Sequence, residues 1–146
     1  MTKNKLSVFL IGLAFILLAC VRAFETKIFY DPFVAFYKSE YFHKPLPEFD
    51  SVKLFLNLLL RYSFNSLLSI FVIYKLFTDK SIVKIALYLY VFIGLILIAA
   101  LYIYMNSLKP DYMILFYIRR FLIQPVLLVL FIPAFYYQKN QNKSLT

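Results

Sequence analysis

The run Ile85 to Met105 carries no charged residue and, as a helix rising about 1.5 Å per residue, is long enough to cross the roughly 30 Å hydrocarbon core of a bilayer. A segment of that character constrains the chain more than any motif does, because everything around it has to fold in or against lipid. Three further stretches resemble it. Spans are expected at about 6–22, 54–74, 85–105 and 112–137. With 63% hydrophobic and 21% aromatic residues among 146, no soluble core of this size could hide the apolar surface. The fold class expected is all-α, an integral membrane four-helix bundle forming one domain over 1–146.

The first span has a rival reading. Lys3 and Lys5 before an apolar middle, with Leu17-Leu18-Ala19-Cys20 near its end, also have the form of a signal peptide with a lipoprotein processing site. Three further spans follow regardless, so an uncleaved helix is expected, with Cys20 as a small packing residue.

The loop at 23–51 changes character, mixing acids, bases and aromatic rings. Asp31-Pro32 signals a helix start, with Asp as N-cap and Pro at the first helical position. Phe33, Phe36, Tyr37 and Tyr41 follow at helical spacing, which predicts a short interfacial helix lying at headgroup level. Pro45-Leu46-Pro47 should end it, leaving Asp50 or Ser51 to cap the second span.

Four spans place both termini on one side. Lys3, Lys5, Lys75, Lys80, Lys84, Lys139 and Lys143 lie there in short segments against Asp79 alone. Arg22, Lys27, Lys38, Lys44, Lys53 and Lys109 lie opposite, mostly in the long loop that also holds five acids. The positive-inside rule then predicts an inner-membrane protein with both termini in the cytoplasm and an extracytoplasmic aromatic loop. The net charge of +9 therefore points to topology and anionic partners, not nucleic acid. One cysteine excludes an internal disulfide or a multi-cysteine zinc cluster. Two glycines, Gly12 and Gly94, exclude a glycine-rich phosphate loop. No cofactor or metal is expected.

Three arginines lie inside the apolar runs, where each costs roughly 2.5 to 3.5 kcal/mol near a helix centre. In the second span Asn57, Arg61, Asn65 and Ser69 recur every fourth residue and form one slanting polar row. Such a row either packs helices together or binds a ligand. In the fourth span Arg119 and Arg120 are adjacent, and Tyr117, Arg120 and Gln124 share a face. Pro125 has no amide to donate, which leaves the Phe121 carbonyl free. Arg61, Arg119 and Arg120 reach a common level, roughly 10 to 12 Å from the outer boundary. All seven acids lie in loops. The positive charge has three conceivable answers: loop acids folding back, with Asp31 and Asp50 as candidate counter-ions; lipid phosphates; or a carboxylate or phosphate of another molecule. Simple snorkelling to the headgroups is the rival.

The same residues carry a resemblance. Arg22-Ala23-Phe24-Glu25, Phe29-Tyr30-Asp31-Pro32-Phe33, Pro45-Leu46-Pro47-Glu48-Phe49-Asp50, Arg61-Tyr62 with Asn65 and Leu68-Ser69, Phe116 to Pro125, and Ile132 to Gln138 resemble the exosortase F system-associated membrane proteins over nearly the whole chain. The resemblance implies an accessory role in a protein sorting and export system built around an exosortase. It implies no reaction.

The expected function is thus that of a non-enzymatic accessory protein. It would bind the exosortase, its substrate tail or an anionic lipid through Arg61, Arg119 and Arg120, with Asn57, Asn65, Tyr117 and Gln124 around them. The alternative is an enzyme-like subunit lending an arginine, or Cys20 and His43, to a transpeptidase or protease site.

Overall fold

The computed structural model describes residues 2–29, 31–40, 43, 45, 48, 50–109 and 111–144. Among them every regular element is helical: α1 (Thr2–Ala23), α2 (Glu25–Ile28), α3 (Phe33–Lys38), α4 (Ser51–Phe77), α5 (Lys80–Met105), α6 (Tyr112–Ile123) and α7 (Val126–Ser144). α1, α4 and α5 each have the length and composition of a membrane-spanning helix, and α6 with α7 would make a fourth span if the pair is counted as one.

That fourth segment corrects the straight helix expected over 112–137. α6 and α7 meet at 64°. Pro125 removes the amide that would continue the ladder, and it holds Gln124 in an extended conformation at φ −99° and ψ 144°. Pro133, by contrast, sits inside α7 without ending it.

Aspartates begin α4, α5 and α6. Asp50 accepts from the amides of Val52 and Lys53 at 3.1 and 3.2 Å, Asp79 from Ser81 at 2.8 Å, and Asp111 from Met113 and Ile114 at 3.0 and 3.3 Å. Each satisfies amides that the first helical turn leaves without partners. Thr78 closes α4 at φ 53°, a left-handed position where Gly or Asn is usual. In the loop, α2 is an element that the sequence pattern does not announce. α3 starts one residue later than expected, with Pro32 at the N-cap and the Asp31 carboxylate accepting from the Phe33 amide at 3.2 Å. It ends at Lys38, with Ser39 extended at its C-cap, earlier than the expected stop at Pro45-Leu46-Pro47; Tyr41, Leu46 and Pro47 lie outside the described residues.

α4 is the hub, packing against α1, α5, α6 and α7. Leu54, Leu58, Tyr62, Val72, Ile73 and Phe77 bury its inward faces, while Leu56, Leu59, Leu60, Phe64 and Leu67 remain outside. α1 is more peripheral, with Ala14 and Leu18 buried and Val8, Phe9 and Ile16 exposed. Outward apolar side chains of this density suit lipid as the surrounding solvent. Where α4 meets α5, Gly94 lies under the Tyr62 ring, and the Tyr62 hydroxyl donates to the Tyr90 carbonyl. Cys20 is exposed, which corrects its expected place in the packing.

Candidate functional site

The end of α1, the short loop helices, α4 and α6 converge on an ion-pair network. It starts at the surface, where the half-exposed Arg22 donates to Glu25 at 2.6 Å. The same Glu25 oxygen accepts from Arg61 Nη2 at 2.6 Å, and Arg61 Nη1 donates to Asp31 Oδ2 at 3.0 Å. Arg119 completes the chain, its Nε donating to Asp31 Oδ1 at 3.1 Å and its Nη2 to Asp31 Oδ2. The Arg119 fork thus holds both carboxylate oxygens, a bidentate geometry that fixes direction as well as charge.

Burial increases inward along this network. Glu25 is 14% exposed, Arg119 7%, Asp31 2% and Arg61 1%. Aromatic rings cover what the carboxylates do not: Arg61 lies 5.2 Å from the centre of Phe29, and Arg119 lies 5.9 Å from the centres of both Phe33 and Tyr37. α3 is held over α6 by edge-to-face rings, with Tyr37 and Phe116 centred 5.0 Å apart, and by the Tyr37 hydroxyl donating to the Tyr112 carbonyl at 3.0 Å. A guanidinium that would be expensive in hydrocarbon is therefore neutralised, hydrogen-bonded and roofed by protein.

The structure divides the predicted site residues into groups. Arg61 and Arg119 meet on Asp31. Arg120, next in sequence, points elsewhere because consecutive helical residues diverge by about 100°. It is exposed, and its Nε donates to Gln124 Oε1 at 3.1 Å. Tyr117, Arg120 and Gln124 line one small outer cleft together. Asn57 donates to the Lys53 carbonyl at 2.8 Å, one turn back along α4. Asp50 is an exposed cap of α4 and pairs with none of the arginines among the described residues. Cys20 and His43 are both exposed, and no hydrogen bond joins either to a base or nucleophile among the described residues.

Asn65 has a different task. Its amide nitrogen donates to the Ile123 carbonyl, an acceptor exposed by the helix break. The polar row of α4 therefore stabilises the bend in the α6–α7 segment from across the interface. Asn65→Leu should destabilise the fold by about 0.6 to 1.7 kcal/mol, the scale of hydrogen bonds between membrane helices. Reversible unfolding in mixed micelles would measure this, and wild-type stability would remove Asn65 from that role.

Glu25 and Arg22 belong to the network but not to the residues expected from sequence. Their spacing of one helical turn at the end of α1 was the available signal. The acids also set a limit. Asp50, Asp79 and Asp111 cap helices, Asp31 and Glu25 hold the network, and Glu40 and Glu48 are exposed. No carboxylate pairs with Arg120 among the described residues.

A cleft of about 250 Å³ opens beside the network, its charged lining being Arg22, Lys38, Arg119 and Arg120 with Glu25. Even with Asp31 counted behind Arg119, cations outnumber carboxylates there. The long apolar helices and buried ion pairs together have the character of a membrane-spanning, multi-pass chain. No protein-family model matches the chain, and no curated protein or solved structure matches it.

Proposed function

We propose that this chain is a non-enzymatic accessory protein of the bacterial inner membrane, a bundle of four spans with both termini in the cytoplasm, that binds an anionic group in the arginine-lined cleft. The observation that carries this reading is Arg120: exposed at the edge of the cleft, hydrogen-bonded to Gln124, and paired with no carboxylate among the described residues. Arg61, Arg119 and Asp31 form the support that positions α6 and α3 around it. The aromatic helix α3 serves as an outer cover at the membrane interface. A planar fork suits a carboxylate or phosphate, as would be presented by a substrate tail, a partner protein or a lipid. The resemblance to exosortase-associated proteins makes an exosortase the first partner to test.

Arg120→Lys keeps the charge and loses the fork, whereas Arg120→Gln loses both. Capture of the exosortase from membranes should fall about 10-fold or more for Gln and less for Lys, as expected when a hydrogen bond to a charged group of roughly 1.5 to 3 kcal/mol is removed. Wild-type capture by both variants would refute the cleft as the binding site. The rival reading, an arginine lent to a partner's active site, rests on the same exposure of Arg120. It predicts unchanged capture with slower sorting of the substrate.

A further inference from the structure

The cationic cleft does not end at Arg120. Arg22, Ile123 and Gln124 line it and also line a second cavity of about 390 Å³. That volume lies in the range of roughly 300 to 1,000 Å³ usual for small-molecule sites. The second cavity is apolar in character. It runs between Phe15 and Leu18 of α1 and Leu128 and Val129 of α7, where the helix break turns α7 away from the axis of α6.

Polarity is ordered along α1. Arg22 and Glu25, at and beyond its carboxy-terminal end, border the charged cleft, and residues one to two turns earlier border the apolar groove. A charged compartment at a helix end, sharing wall residues with an apolar compartment deeper along it, matches an amphiphile that enters with its chain inward. Arg61 adds a second observation. It is 1% exposed, it forms part of the groove wall, and its Nε is buried without a hydrogen-bond acceptor. A buried donor left in this state costs about 1 to 3 kcal/mol, so an acceptor supplied by a ligand would be favoured there.

We infer that the two cavities form one site for an anionic phospholipid, with its phosphate among Arg22, Lys38 and Arg120 and one acyl chain in the groove between α1 and α7. This rests on the anion-binding reading of the cleft and narrows the anion to a lipid phosphate. The cluster's excess positive charge selects anionic over zwitterionic headgroups, because Glu25 and Asp31 neutralise only part of it. The apolar wall adds affinity through area removed from water and from competing lipid.

The test uses the full chain in mixed micelles, with phosphatidylglycerol as the anionic probe and phosphatidylcholine as the zwitterionic one, read by native mass spectrometry. The wild type should retain one phosphatidylglycerol per chain and prefer it over phosphatidylcholine by about 10-fold or more. Val129→Trp fills the groove from an exposed position, and Ala19→Phe does so from the facing wall, so neither needs to disturb the buried network. Both should reduce retention of phosphatidylglycerol about 10-fold. Arg120→Gln should instead erode the preference for the anionic headgroup.

Equal retention of the two lipids by the wild type, or wild-type retention by both groove variants, overturns the inference. In the second case, loss of anion preference and partner capture in Arg120→Gln would leave the cleft reading standing. Unchanged preference and capture in Arg120→Gln would remove both readings. Loss of partner capture in the groove variants, with no phospholipid held by the wild type, would assign the groove to a peptide and likewise overturn the lipid site.

Discussion

Asp31→Asn is expected to destabilise the folded chain by about 3 to 5 kcal/mol, the range for breaking a buried ion pair from one side. The Asn amide is nearly the same shape and can still accept from the Phe33 amide, so the change isolates charge from geometry. Two guanidinia, Arg61 and Arg119, lose the carboxylate they share. Such a loss is a large part of the 5 to 15 kcal/mol that commonly separates folded from unfolded domains. The measurement is unfolding in mixed micelles, paired with protease sensitivity of the loop at 23–51. The double variant Asp31→Asn with Arg119→Met should recover a substantial share of the loss, because it removes one of the stranded charges and leaves Glu25 paired with Arg61. Wild-type stability of Asp31→Asn alone would mean that the network does not hold the fold.

Gly94 is expected to be the most sensitive position outside the network. A Cβ added there would stand 2.5 Å from Tyr62 Cε1, 3.0 Å from Cζ and 3.2 Å from the hydroxyl oxygen. The ring has little freedom to yield, because its hydroxyl donates to the Tyr90 carbonyl on α5 and Tyr62 is itself buried. Gly94→Ala should therefore destabilise by about 1 to 3 kcal/mol, the usual scale of overpacking, and Gly94→Leu by more. Unfolding of the single variants, with Gly12→Ala as the control, measures the effect. Gly12 has nothing within 4 Å of a built Cβ, so its substitution should be close to neutral. Equal stability of the Gly94 and Gly12 alanine variants would show that α4 and α5 are not in such close contact.

Much of the helical architecture could be read from apolar periodicity and length, since α1, α4 and α5 cover their expected spans. Asp50 was also readable as a cap before its apolar run, and the structure adds Asp79 and Asp111 in the same role. The missing amide of Pro125 is visible in the sequence, but the bend it accompanies is not. A proline alone does not decide between a kinked helix and two helices, and Pro133 remains within one. At Pro125 the difference includes a donor on another helix, Asn65, which sequence adjacency cannot reveal.

The site divides similarly. Helical rise placed Arg61 and Arg119 at one depth, and the structure joins them through Asp31. Helical rotation, applied to neighbouring residues, would have separated Arg119 from Arg120. Glu25 was harder to find because α2 is one turn long and follows α1 with a single residue between them. Its carboxylate reaches Arg61 through the folded path of the loop, across 36 positions of sequence. Contacts of that separation depend on tertiary structure, and the local pattern is silent about them.

The ion-pair network also has an order in time. During synthesis Asp31 emerges first, Arg61 follows 30 residues later, and Arg119 comes 88 residues after the carboxylate both will share. Until α6 has been made and docked, Asp31 has only one of its two guanidinium partners and the roof of rings has no floor. Closure of the network is thus a late event in biogenesis, and a nascent chain halted before α6 would present an uncovered ion-pair network to the insertion and quality-control machinery of its membrane.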